Sequence, residues 1–168
     1  EPVPDTGTVN WLSVCMSCLR KSLISSMRVI NSGSKWPNVG LESAAYTDFE
    51  TQDGAELVFN GHVRATEHGK KITGLEYEQY EGMAEHELKR LAEETVKIFR
   101  IHDLYCRHRI GIVKVGEISL HVMILSKHRK EGLSALEYFI AELKKTVPIW
   151  KWAMLMNGKK IPSKCHLN

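Results

Sequence analysis

The sequence predicts one α+β domain in which two long helices pack against a mostly antiparallel sheet. Its 168 residues, of which 43% are hydrophobic, are enough to bury a core. Two segments place apolar residues three and four positions apart, which is the spacing of an amphipathic helix. Five shorter segments rich in strand-forming residues are interleaved with these helices, and this order is typical of an α+β layer.

The N-terminal part of the chain carries few structural signals. Residues 1–26 contain prolines and serines without a sustained period, so we treat them as an extension that is disordered or artefactual. The domain then spans residues 27–168, and Met27 is a candidate native start. Within residues 28–53, loop signals surround short apolar pieces, which predict one short strand and one short helix near Ser43–Phe49.

The middle of the chain predicts a β-hairpin followed by a helix. Strand-forming residues cover Glu56–Val63 and Ile72–Tyr77, and the turn signal His68-Gly69 lies between them. The helix is expected over Met83–Arg100, with a buried face formed by Ala84, Leu88, Leu91, Ala92, Thr95 and Phe99. Charged residues occupy most of its other positions, so we expect a solvated outer face.

The C-terminal part predicts three more strands and the second helix. Strands are expected over Leu104–Ile110, Ile118–Leu125 and Ile149–Met156, with a short turn between the first two. The second helix is expected from about Leu133 and ends before Pro148, because proline disfavours helical geometry in the residue that precedes it. A basic tail follows the last strand.

Composition and cysteine spacing argue against several classes of function. The net charge of +3 is too small to indicate a nucleic-acid-binding protein. No apolar run reaches the roughly 18 residues that a membrane-spanning helix requires, so we expect a cytoplasmic protein without a membrane partner. Cys15 and Cys18 form a C-x-x-C, which suits a redox pair or half of a zinc site, but no second half follows. We therefore expect no metal ion, and we expect Cys106 in the core.

Short motifs along residues 54–151 are informative as an ordered set. The later ones are Ser126-Lys127-His128-Arg129, Leu143-Lys144 and Val147-Pro148-Ile149-Trp150-Lys151. The earlier ones are Gly54-Ala55, Phe59-Asn60-Gly61-His62-Val63-Arg64, Leu75-Glu76-Tyr77-Glu78-Gln79-Tyr80, Met83-Ala84-Glu85, His108-Arg109-Ile110-Gly111 and Gly116-Glu117. No single motif is specific, but together they resemble the signature of the molybdopterin synthase catalytic (large) subunit family.

This resemblance implies a fold, a reaction and a set of partners. The fold is expected to be α/β-hammerhead-like. The reaction is expected to be a sulfur transfer in molybdenum cofactor biosynthesis, which converts cyclic pyranopterin monophosphate to molybdopterin. The sulfur donor is expected to be the C-terminal Gly-Gly thiocarboxylate of a small ubiquitin-like subunit. The resemblance also implies a homodimer at the centre of a heterotetramer with two small subunits, and it implies no cofactor.

Five residues are candidates for substrate binding by the resemblance: Arg64, His128, Arg129, Lys144 and Lys151. An arginine holds phosphate oxygens through two parallel hydrogen bonds, and the N–H groups at a helix N-terminus favour an anion. A lysine that is partly desolvated beside other cations can act as an acid–base group or a nucleophile, so Lys144 and Lys151 are also the catalytic candidates. We expect the last four of the five residues to come together in one anion site. Taken singly, each of these residues also fits a solvated surface position.

One departure from the family pattern bears on activity. Family members usually continue the segment after Lys151 with a basic residue and a glutamate, whereas this chain has Trp152 and Ala153. A catalytically impaired member that serves as a protein-interaction scaffold is therefore an alternative to the enzyme. A small nucleic-acid binder is a further alternative, but the interleaved exposed aromatics of a single-strand platform are missing. The presence of all five cationic candidates favours the enzyme, in which the ring of Trp150 is expected to line the pterin pocket.

Overall fold

The computed structural model describes residues 10–16 and 52–163 of the chain. In chain order its elements are β1 (Asn10–Cys15), β2 (Ala55–His62), β3 (Thr66–Glu67), β4 (Lys70–Gln79), α1 (Met83–Phe99), β5 (Asp103–Lys114), β6 (Ile118–Ser126), α2 (Arg129–Thr146), β7 (Ile149–Leu155) and β8 (Lys160–Pro162). The helix expected near Ser43–Phe49, residues 28–51 of the segment expected to hold a short strand, the candidate start Met27, and the cysteines Cys18 and Cys165 lie outside the described residues.

The strands form one antiparallel sheet whose main path runs β2-β6-β5-β4-β7-β8, with β1 beside β5 and β3 beside β4. The long strand β5 serves both halves of this sheet. Its residues 103–108 pair with β6 and its residues 105–110 with β1, whereas its residues 111–114 pair with β4. Gly111 lies where the pairing changes and has a φ of 92°, a left-handed conformation that glycine adopts without strain.

Each half of the sheet has its own core. The larger core lies between the two helices and β1, β5 and β6, and its fully buried side chains include Leu88, Leu91, Leu104, Ile124 and Phe139. The smaller core is formed around β4 and β7 and contains Val63, Ile72, Leu75, Tyr77, Val113 and Ala153. Of the two helices in the described part of the chain, neither is long and apolar enough to cross a membrane.

The predicted fold class is confirmed, because two helices pack on a mostly antiparallel sheet. Helix α1 ends one residue before its predicted end and buries most of the predicted apolar face. Helix α2 begins at Arg129 rather than Leu133, because its polar first turn carries no apolar signal. Cys106 is a buried thiol in β5, as expected, and burial raises its pKa.

The predicted hairpin between the strands flanking His68-Gly69 is wrong. The strand β2 pairs with β6, about sixty residues later in the chain, and not with β4. Only the two residues of β3 face β4 across the His68-Gly69 turn. The sequence also gives no signal for two short strands, since β1 lies in the uninterpreted N-terminal segment and β8 in the basic tail.

Candidate functional site

Arg64 follows the end of β2 at a point where the backbone is held by the turn between β5 and β6. The N–H of Val63 donates to the carbonyl of Glu117 at 3.0 Å, and the N–H of Gly116 donates to the carbonyl of Val63 at 2.8 Å. The next side chain, Arg64, is 75% exposed, and its Nη2 donates to Glu67 Oε2 at 3.4 Å. The fold thus fixes the backbone before Arg64 and leaves the guanidinium open to solvent.

The tight turn after β3 places Glu67 inside the protein. Both central residues of the turn have a positive φ, 48° at His68 and 74° at Gly69, which is the geometry of a type I′ hairpin turn. The register across the turn pairs Glu67 with Lys70. The Glu67 side chain is only 4% exposed, so its carboxylate requires partners from the protein.

Lys151 provides one of those partners. Its cross-strand neighbour is Tyr77 of β4, so the two side chains share the inner face of the sheet. The Lys151 side chain is 21% exposed, and its Nζ donates to Glu67 Oε1 at 3.2 Å. Ser163 completes the arrangement, because its hydroxyl donates to the same carboxylate oxygen and its N–H donates to the carbonyl of Lys151 at 3.0 Å. We call Arg64, Glu67, Lys151 and Ser163 the Glu67 cluster.

Glu67 is an ionised carboxylate at neutral pH. Burial acts to raise its pKa, but the hydrogen bond from Ser163, the charge and hydrogen bond of Lys151 and the charge of Arg64 together lower the pKa below its ordinary value. His68 Nε2 lies 3.9 Å from the same carboxylate. The cluster therefore contains two cations and one anion, and the carboxylate is its least exposed member.

His128 and Arg129 lie at the start of α2. His128 occupies the N-cap position, and both side chains are exposed. A surface cleft of about 460 Å³ adjoins this helix end and is lined by Ile98, Phe99, Arg100, Lys127, His128, Lys130, Glu131 and Ser134. The N-terminus of a helix carries partial positive charge, so this cleft suits an anionic group.

The length of α2 separates the predicted site residues into two groups. The helix has 18 residues, and Lys144 lies in its last turn. At 1.5 Å per residue, the backbones of Arg129 and Lys144 are about 22 Å apart. The expectation that His128, Arg129, Lys144 and Lys151 meet in one site is therefore wrong within a single chain.

Lys144 itself is exposed, and its position differs from that of the next residue. Lys145 Nζ donates to Glu142 Oε1 at 2.7 Å, a surface pair between neighbouring turns of α2. Lys144 precedes the short connection that leads from α2 into β7 and to Lys151. The C-terminal end of α2 and the start of β7 thus carry both catalytic candidates within eight residues of sequence.

Trp150 does not share the face of Lys151. Successive side chains in a strand point to opposite faces, and Trp150 is half exposed on the outer face of β7. On the same outer face, the indole N–H of Trp152 donates to Glu78 Oε2 at 3.1 Å. Within one chain the ring of Trp150 therefore points away from Lys151, and its expected place in the wall of the pterin pocket stays a prediction.

His108 and Arg109 are buried residues of β5, and Arg109 belongs to a hydrogen-bond network next to the site. Arg109 Nη1 donates to Glu117 Oε2 at 2.9 Å, and the same oxygen accepts the N–H of Lys114 at 3.0 Å. Since the carbonyl of Glu117 also receives the N–H of Val63, this network stabilises the backbone before Arg64. Burial lowers the pKa of His108 to about 4, although its hydrogen bond to the carbonyl of Arg109 acts in the opposite direction.

Sequence reasoning missed Glu67 and Ser163. Glu67 is one carboxylate among many in a polar turn, and Ser163 belongs to a tail without periodicity. Their proximity depends on the pairing of β8 with β7, which no local pattern predicts. Among residues 10–16 and 52–163, no group of histidine, cysteine, aspartate or glutamate side chains is arranged to hold a metal ion.

Comparison with known proteins identifies relatives of the chain. Residues 38–146 match the family model described as MoaE protein. The molybdopterin synthase catalytic subunit of Pyrococcus abyssi is 37% identical over 119 residues, which cover 71% of this chain and 80% of that protein. The molybdopterin synthase catalytic subunit of Arabidopsis thaliana is 35% identical over 146 residues, which cover 86% of this chain and 70% of that protein.

Solved structures show the same similarity. The crystal structure of molybdopterin synthase from Staphylococcus aureus is 34% identical, with a TM-score of 0.65, and the match covers 73% of this chain and 89% of that one. The complex of subunits 1 and 2 of the molybdopterin-converting factor from Helicobacter pylori contains a chain that is 28% identical, with a TM-score of 0.55. That match covers 68% of this chain and 75% of the other.

Proposed function

We propose that this chain, which belongs to the MoaE protein family, is the catalytic subunit of a molybdopterin synthase. The reaction is a sulfur transfer to cyclic pyranopterin monophosphate in molybdenum cofactor biosynthesis, and it takes place in the cytoplasm. The observation that carries the proposal is the family match, together with 35–40% identity to proteins named as this subunit.

The cations of the chain have two tasks in this reaction. Arg64 and Lys151 bind the anionic pterin substrate from the Glu67 cluster, where the guanidinium offers two parallel donors to phosphate oxygens. His128 and Arg129 bind an anionic group at the N-terminus of α2, beside the cleft described above. Each transfer of sulfur requires proton movement at the attacked carbon, and Lys144 and Lys151 are the acid–base candidates.

The separation along α2 favours a site shared by two protomers. A pterin monophosphate is too small to touch both ends of a helix whose terminal residues lie about 22 Å apart. A second copy of the chain brings the His128–Arg129 end of one protomer to the Lys144–Lys151 end of the other. This arrangement accords with the homodimer core that the family resemblance implies.

The sulfur donor is a small ubiquitin-like subunit with a C-terminal Gly-Gly thiocarboxylate. The Helicobacter pylori structure, which is a complex of subunits 1 and 2 of the molybdopterin-converting factor, supports a partner subunit. Two catalytic and two small subunits then form a heterotetramer. The reactive end of the partner must reach the substrate, so its extended C-terminal tail enters the shared site.

Reconstitution tests the proposal. The protein is combined with a thiocarboxylated small subunit and cyclic pyranopterin monophosphate, and dithiolene product is measured. Lys144→Ala is expected to lower turnover about a hundredfold or more, as removal of an acid–base group does. Lys145→Ala, which alters a neighbouring lysine held in a surface pair, is the matched control and should retain full turnover. Equal turnover of the two variants would refute the role of Lys144.

Mixing two inactive variants tests the shared site. A dimer with one His128→Ala protomer and one Lys144→Ala protomer contains one intact site if each site takes these residues from different chains. Random mixing should therefore restore about a quarter of the wild-type turnover in a twofold-symmetric dimer. A site within one chain gives no recovery.

The second candidate function is a protein-interaction scaffold without turnover. Trp152 and Ala153 favour it modestly, because the resembled family usually has a basic residue and a glutamate at these positions. Tight binding of the small subunit without dithiolene product in the reconstitution would support the scaffold.

A further inference from the structure

The Glu67 carboxylate connects two cations that the sequence assigns to substrate binding. Its Oε1 accepts hydrogen bonds from Lys151 Nζ at 3.2 Å and from the hydroxyl of Ser163. Its Oε2 accepts a hydrogen bond from Arg64 Nη2 at 3.4 Å. Both oxygens are therefore used, and they bind groups that come from three separate segments of the chain.

Exposure increases from the carboxylate outward. Glu67 is 4% exposed, Lys151 is 21% exposed and Arg64 is 75% exposed. A buried carboxylate without a cation is strongly unfavourable, so Lys151 is held close to it. Arg64 keeps most of its donor surface available to solvent, and a bound phosphate can use those donors while the inner end stays attached.

Ser163 makes the arrangement dependent on the C-terminal segment. Its N–H donates to the carbonyl of Lys151, and its hydroxyl donates to the carboxylate that holds the same lysine. The lysine side chain has four rotatable bonds and loses this freedom only when its ammonium group is bound. Ser163 thus holds the backbone of Lys151, and Glu67 holds its ammonium group.

We propose that Glu67 is a positioning residue for the sulfur transfer, which holds the Lys151 ammonium and the Arg64 guanidinium in the geometry required by the substrate. The proposal rests on the proposed function, because it assigns Glu67 a role in that same site. Glu67 does not itself contact the substrate. Its effect is exerted through the two cations.

Glu67→Gln separates positioning from binding. The amide keeps the size of the side chain but removes the negative charge, so the ammonium loses its ion-pair partner. Turnover should fall about ten- to a hundredfold, because small displacements of reacting groups have effects of this size. The affinity for inorganic phosphate should stay equal or increase, since the net positive charge of the cluster rises by one. Structural damage would instead weaken turnover and phosphate binding together.

Chemical labelling of Lys151 provides a readout independent of activity. Acetic anhydride labels lysines in wild type and in Glu67→Gln, and mass spectrometry measures the rate at Lys151 relative to the exposed Lys145. The relative rate at Lys151 should rise several-fold in the variant, because the ammonium is no longer held against a buried carboxylate. Ser163→Ala should raise the relative labelling rate at Lys151 by a smaller factor. It should also lower turnover.

The matched control is Glu87→Gln on α1. Glu87 also pairs with a cation, Arg90, at 2.9 Å, but this pair is at the surface of a helix and includes no residue of the cluster. This variant should leave turnover, phosphate affinity and the labelling of Lys151 unchanged. It therefore reports any general effect of replacing a paired glutamate.

The outcomes distinguish the two proposals. If wild type forms no dithiolene, the proposed function fails, while the labelling of Lys151 still decides whether Glu67 holds this lysine. Wild-type turnover and wild-type labelling in Glu67→Gln would overturn the positioning role, as would a joint loss of turnover and phosphate binding. If Glu67→Gln does not fold, Ser163→Ala decides by the same two measurements.

Discussion

Protonation of His108 should make the protein sensitive to mild acid. The imidazole is buried, its Nδ1–H donates to the carbonyl of Arg109 at 2.8 Å, and its ring meets Tyr77 edge-on at 4.9 Å. Burial lowers the pKa of His108 from the ordinary value of 6.5 to about 4. The folded protein therefore keeps this ring neutral in a range where the unfolded chain takes up a proton.

The sign and size of the effect follow from this difference. Below pH 6.5 the unfolded state binds more protons than the folded state, so the free energy of unfolding falls as the pH falls. One pKa unit corresponds to about 1.4 kcal/mol. The lowering of the His108 pKa to about 4 thus predicts that the free energy of unfolding falls by about 3 kcal/mol between pH 6.5 and pH 4.

Urea denaturation at several pH values measures the loss directly. Wild type is compared with His108→Gln, which cannot titrate and should lose the corresponding part of the pH dependence. His121→Gln should also lose part of the pH dependence, because burial and the charge of Arg107 lower the pKa of His121 as well. Identical pH dependence between pH 6.5 and 4.5 in wild type and His108→Gln would refute the reasoning.

Two further predictions concern packing. Phe139→Ala should lower the free energy of unfolding by about 3–5 kcal/mol, because the ring is fully buried, whereas Leu133→Ala on the same helix should change it by under about 1 kcal/mol. Equal urea midpoints for these two variants would contradict the assigned core. Gly74→Ala should destabilise by about 1–3 kcal/mol, since its Cβ would lie 2.6 Å from the backbone carbonyl oxygen of Val113 on the neighbouring strand. A midpoint equal to that of wild type would show that the two strands can separate locally.

The helices were predictable because their signals are local. The buried positions of α1 recur every three or four residues, and Gly82 precedes the helix. The end of α2 before Pro148 follows from the geometry that proline imposes on its predecessor. The start of α2 lacks an apolar residue on its first turn, so the same criterion places it four residues too late.

Strand pairing was predictable only in part, because it depends on distant residues. Two strand-forming segments with a turn between them favour a hairpin, but the hydrogen bonds of β2 go to β6. The chain leaves the sheet at Val63, where the N–H bonds to Glu117, and it returns through the small hairpin at His68. A local pattern carries no information on such a competition between partners.

In the candidate site, too, some residues were predictable from local motifs, whereas others depend on contacts between distant parts of the chain. The motifs around Arg64, Lys144 and Lys151 single out cations by their resemblance to a family. The helical spacing between Arg129 and Lys144 also implies their separation of about 22 Å, which argues for two protomers rather than one. By contrast, the carboxylate that joins Arg64 to Lys151 comes from a two-residue strand.

The position of Glu67 bears on how the difference from the family pattern at Trp152 and Ala153 is interpreted. Residues 151 and 153 lie on the same face of β7, so a glutamate at 153 would put a carboxylate on the face of Lys151. In this chain Ala153 is fully buried beside Leu75, and Glu67 approaches Lys151 from β3 instead. The lysine therefore has a buried anionic partner without a carboxylate at position 153. The absence of a glutamate at position 153 is for this reason weak support for a scaffold. The substitution that would remove the anionic partner of Lys151 is Glu67→Gln.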